Sequence, residues 1–82
     1  MEYVAQISLP GKPVVEIDVD FKAPPMVGHV IEFFGNYCLR LRVDAVDHCF
    51  DFPSLNPIHC VLIFSLLEGS EHAIDEFMKA VK

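Results

Sequence analysis

Residues 2–9, EYVAQISL, place Tyr3, Ala5, Ile7 and Leu9 on one side of an extended chain and Glu2, Gln6 and Ser8 on the other. That period of two predicts a half-buried strand. Pro10-Gly11-Lys12-Pro13 interrupts it, and the alternation resumes over 14–21, with Val15, Ile17, Val19 and Phe21 opposite Glu16, Asp18 and Asp20. Two alternating runs around a Pro/Gly turn predict an antiparallel hairpin with one acidic, solvated face. The segment KAPPMVG lacks amide donors at Pro24 and Pro25 and reads as a connection.

Extended pattern returns over 29–34, and Gly35-Asn36 predicts a two-residue hairpin turn into a long run over 37–50. There Leu39, Leu41 and Val43 face one way, while Cys38, Arg40, Arg42 and Asp44 face the other. Ala45-Val46 disturbs the alternation, so a bulge or bend is expected near it. After the turn PSLNP, residues 58–67 are apolar on both faces, which predicts a central strand. Only 71–81 carries helical spacing: Ile74, Phe77, Met78 and Val81 form one stripe, Ser70 is placed to cap, and Lys79 and Lys82 lie at the negative end of the dipole.

The order is therefore β-β-β-β-β-α in one small domain, 1–82. The expected class is mainly β with one C-terminal helix: a small antiparallel barrel of the SH3 or OB kind, or a curved sheet packed by the helix. The pattern leaves the register between the fourth and fifth strands open.

Composition adds two expectations. With 82 residues, 52% of them hydrophobic, the chain carries more apolar surface than a small monomer hides easily, so self-association, as a homodimer or other homo-oligomer, is expected. A net charge of −6 leaves too few Lys and Arg to neutralise phosphates, which argues against nucleic acid and against anionic membranes. No apolar run approaches the ~20 residues of a membrane span, and the start shows no secretory pattern. The odd count of three cysteines is expected to mean reduced thiols in the cytoplasm.

Candidate chemistry concentrates in DHCFDFPSLNPIHC, residues 47–60, with a His-Cys dipeptide at each end. A metal or hydrolase-type site here would draw on His48, Cys49, Asp51 and His59. In a strand, however, adjacent side chains leave by opposite faces, so each dipeptide offers one ligand at most to a given ion. Cys49 between Asp47 and Asp51 is also a poor setting for a thiolate. No phosphate-cradling Gly loop is present. The reading that results is no enzyme, no metal and no cofactor. His48 and Phe50 are expected on one face, Cys60 as a small buried hydrophobe beside Leu62 and Phe64, and Asp51 and Asn56 as turn residues.

A binding role asks less of the chain. The expected function is a non-enzymatic interaction module with a protein partner, self-associating through the face of Arg40 and Arg42 and through exposed aromatics among Phe33, Phe34 and Tyr37. Phe33 and Phe34 are adjacent, so one of them should face outward. Ordinary core is the expectation for most of the set Phe33, Phe34, Tyr37, Phe50 and Phe52. A further alternative is an acidic inhibitor of the kind carried by phages and other mobile elements, with Glu16, Asp18 and Asp20 imitating phosphates.

Overall fold

The computed structural model describes residues 2–81. The alternating runs form strands β1 (Glu2–Ser8), β2 (Val15–Asp20), β3 (Val30–Phe33), β4 (Leu39–Phe50) and β5 (Pro57–Glu68), followed by helix α1 (Glu71–Ala80). They assemble one curled sheet in the order β2-β1-β5-β4-β3. The class is thus mainly β with a C-terminal helix, and the sheet is a half-barrel rather than a closed one.

β5 lies in the middle because both of its faces are apolar. Leu62 and Phe64 join the main core, while Val61 is buried on the opposite face across from Val4. β5 pairs antiparallel with β4 and parallel with β1, in the register Val4↔Val61 through Ser8↔Ser65. The sheet is therefore mixed: three of its four pairings are antiparallel, in keeping with the mostly antiparallel arrangement expected, and the β1–β5 pair is parallel. Side-chain alternation has the same period in either direction, so it carries no information on strand polarity.

The concave face collects Tyr3, Ala5 and Ile7 from β1, Leu39, Leu41 and Val43 from β4, and Leu62 and Phe64 from β5. The two edge strands curl toward each other, so that Ile17 and Val19 of β2 and Ile31 and Phe33 of β3 line one apolar void of about 20 Å³. That volume is close to a single water, and an apolar lining of this kind stays dry.

The helix closes the end where β1 finishes and β4 begins. Ser70 accepts a hydrogen bond from the Ala73 amide at 3.1 Å, as its capping position predicts. Ala73, Ile74 and Phe77 are buried, Phe77 meets Phe33 edge to face at 5.2 Å, and Lys12 in the β1–β2 turn reaches Asp75 at 2.9 Å. Gly69 makes the approach possible, since a Cβ there would stand 2.6 Å from a Leu39 methyl.

One connection differs from expectation, and the other lies where the sequence places it. The β3–β4 link is a five-residue loop, 34–38, because Phe33 pairs with Leu39, and Gly35-Asn36 sits within it rather than forming a two-residue turn. The long connection over 22–29 crosses the other end of the half-barrel. Gly28, at φ 93°, donates its amide to the Val43 carbonyl, and the Val43 amide donates to the His29 carbonyl. The bulge expected near Ala45 is present between Val43 and Ala45.

Candidate functional site

β3 accompanies β4 only from Leu39 to Arg42, and β1 reaches β5 only from Val61 onward. Ala45, Val46 and Asp47 therefore have a bare outer edge but still pair with Ile63, Leu62 and Val61, which β1 flanks, and only 48–50 of β4 and 57–60 of β5 pair with each other alone. They form a two-stranded arm that leaves the body of the sheet and contributes to its 45 × 24 × 17 Å extents. Its tip is ordered by local hydrogen bonds. The Asp51 amide donates to the Asn56 carbonyl, the Leu55 amide donates to the Asp51 carbonyl, and the Ser54 hydroxyl donates to the Asp51 carboxylate at 2.6 Å. Leu55 takes φ 61° in this turn, and the Phe52–Pro53 peptide is cis.

The arm is the stretch DHCFDFPSLNPIHC, and its geometry decides what its soft ligands can do. His48 stands opposite Cys60, and Cys49 opposite His59. Cross-strand partners share a face, so one His-Cys pair lies on each side of the ribbon and the two imidazoles point apart. Asp51 is committed to Ser54. Among the described residues, no group of three or more His, Cys, Asp or Glu side chains converges where a metal ion could sit. Burial pushes the Cys60 thiol above its ordinary range, and negative charge on Cys49 and Asp47 adds to the effect. It is therefore a weaker nucleophile at neutral pH than a free cysteine.

What the arm does expose is apolar. Every residue from Phe50 to His59 is exposed, and Phe52 reaches 86%. Phe50, Leu55 and Ile58 are likewise mostly in solvent. The expectation of ordinary core for most of the aromatic set is corrected here. Phe33 is packed against the core, but Phe34, Tyr37, Phe50 and Phe52 are exposed. Composition marks such residues as hydrophobic, and only the length of the neighbouring strands decides whether anything covers them. The available signal was the mismatch between two twelve-residue strands and their neighbours of four and seven residues.

The other sequence candidates fall elsewhere. Arg40 sits between β3 and β5 on the outer face: its Nε is shielded from solvent 2.9 Å from the Glu32 carboxylate, and its Nη1 lies 3.2 Å from Glu68. Arg42 contacts Asp44 at 3.2 Å. A hydrogen bond from Ser65 and then the Arg42 guanidinium hold the Asp44 carboxyl below the usual range. Both guanidiniums are thus engaged by carboxylates of the same chain, and the face is not a free basic patch. Phe34 is 78% exposed, and Tyr37 stacks on the His72 ring at 5.9 Å, so these two flank a shallow groove of about 290 Å³ between the 34–38 loop and α1. Glu16 and Asp18 line the solvent face of edge strand β2, where Gln6 donates to Glu16 at 3.4 Å. Phe33 and Phe34 do divide between inside and outside.

No family model, no curated protein and no solved structure matches the chain. None of the helices among the described residues is long and apolar enough to cross a membrane.

Proposed function

We propose that the protein is a non-enzymatic interaction module whose contact element is the β4–β5 arm, working in the reducing cytoplasm. The observation that carries this reading is the arm itself: an isolated pair of strands holding Phe50, Phe52, Leu55 and Ile58 in water. An unsupported hairpin is marginal in water, and contiguous apolar exposure of this kind marks a protein contact. Three further observations support it. The His-Cys pairs are split between two faces, the arginines are neutralised within the chain, and no Lys or Arg occurs between Arg42 and Lys79, which disfavours a phosphate-bearing partner.

The test is photo-cross-linking with a benzophenone phenylalanine analogue placed at Phe52, compared with the same analogue at Val14 on the far end of the sheet. Discrete protein adducts at Phe52 and none at Val14 are expected from irradiated producing cells. An absence of any adduct at Phe52, including one to another copy of the chain, would remove the arm as the contact element. Metal analysis of purified protein addresses the competing site at His48, Cys49, Asp51 and His59. Stoichiometric zinc or iron would restore it.

A further inference from the structure

The backbone of the arm carries more than its side chains do. Residues of an antiparallel strand point their N–H and C=O to one side together, and the side alternates along the chain. Asp51 directs both groups toward the β5 side, at the Asn56 carbonyl and the Leu55 amide. Counting back along the extended chain, Cys49 and Asp47 also face β5, and Phe50, His48 and Val46 direct theirs outward, where β4 has no neighbour beyond Val43 among the described residues. Exposed, unpaired edges of this kind are templates for another strand.

Resting on the reading of the arm as contact element, we infer that its occupant is a second copy of this chain, added antiparallel along β4 about a two-fold axis at His48. This register pairs Val46 with Phe50 of the partner subunit, His48 with its own counterpart, and Phe50 with Val46 of the partner subunit, which satisfies the outward amides and carbonyls of all three positions. It sets Asp47 across from a cysteine and Asp51 across from an alanine, so no carboxylates oppose. Moving the axis to Asp47 would place like charges directly opposite, which is unfavourable, and would leave the Phe50 backbone outside the matched set.

The same operation carries each arm tip onto the base of the other arm. There Gly28 is hydrogen-bonded to Val43, and Met26 and Val27 beside it are each 64% exposed. Apolar tip meets apolar base twice. The exposed surfaces of Phe50, Phe52 and Leu55 amount to roughly 400 Å² per chain and those of Met26 and Val27 to roughly 200 Å², so two copies together offer at most about 1,200 Å², the lower end for a specific interface. A two-fold contact of this type is closed, which yields dimers and no filament.

The test uses the unmodified chain. Light scattering after size exclusion is expected to show a mass rising from one chain to two between about 10 µM and 500 µM, as mass action requires. Over the same range, amide hydrogen exchange at Val46, His48 and Phe50 is expected to slow at least about tenfold, while Asp47 and Cys49, already bonded within the arm, stay unchanged. His48→Pro removes the central outward amide and is expected to remain monomeric, with Phe34→Ser still dimeric. A monomer at the highest concentration overturns the inference, as does a dimer whose exchange at Val46, His48 and Phe50 does not change. If His48→Pro fails to fold, the exchange measurement on the unmodified chain decides alone. A monomer that still forms adducts with other proteins from Phe52 would overturn the second copy and leave the module reading standing.

Discussion

Leu62→Ala and Phe52→Ala remove side chains of similar apolar character from adjacent parts of the same hairpin, and their costs should differ several-fold. Leu62 is 0% exposed and sits in the concave core against strands on both sides. Truncation there removes its transfer energy and leaves a cavity, about 3 to 4 kcal/mol in comparable sites. A chain of this length holds roughly 4 to 12 kcal/mol in all, so the loss is a large share of the total. Phe52 keeps only about a seventh of its surface out of water, some 30 Å², which at 25 cal/mol per Å² is at most about 0.7 kcal/mol. Urea unfolding followed by circular dichroism, run dilute enough to keep the protein monomeric, reads both. With a slope near 1 kcal/mol per M, the midpoint should fall by about 3 M for Leu62→Ala and by less than about 0.7 M for Phe52→Ala. Equal shifts would mean that the tip folds back onto the body in solution, and the case for a free arm would fail.

Other consequences are open to direct measurement. Ser70→Ala deletes the cap on α1 and should cost about 1 kcal/mol, seen as a lower thermal midpoint. Gly69→Ala presses a Cβ against a buried Leu39 methyl and should cost about 1 to 3 kcal/mol in the same assay. The hydrogen bond and charge of Lys12 hold the Asp75 carboxyl below its ordinary value in the folded protein. Its stabilising effect is therefore present above the unfolded-state value and is lost as pH falls through the lower folded one. Lys12→Met should return the Asp75 titration upward in carboxyl NMR, and an unchanged titration would deny the contact. Alkylation at mildly alkaline pH should label exposed Cys38 first and Cys60 last, because burial keeps that thiol protonated. Mass spectrometry of timed aliquots gives the order.

Much of this architecture is readable from residue order. The alternation of β1 and β2, the double-faced apolar run of β5 and the capped stripe of α1 each follow from a local period, and each element lies within two residues of where that period places it. The inward Phe33 and outward Phe34 follow from the same rule. Polarity and coverage do not, because both depend on which strands become neighbours. Nothing local says that Tyr3, Ala5 and Ile7 will run parallel to β5, nor that β3 will stop at Phe33 and leave β4 bare from Asp44 onward. The arginines show the same limit. Arg40 and Arg42 read as a basic patch along the chain, yet Glu32 and Glu68 reach Arg40 only through pairings on either side of it. For the His-Cys dipeptides the pleat already separated each residue from its neighbour, and register supplied the remaining fact, which imidazole faces which thiol.

The position of β5 between β1 and β4 bears on how the chain acquires its shape during synthesis. Remove residues 57–68 and the sheet order breaks into two disconnected hairpins, β1 with β2 and β3 with β4, neither of which is stable alone. A nascent polypeptide emerging from the ribosome would therefore hold no lasting structure in this sheet until β5 had been translated. Coupling β1 to β5, as in the pair Val4↔Val61, also raises the contact order, so refolding of this sheet should be slow for its size.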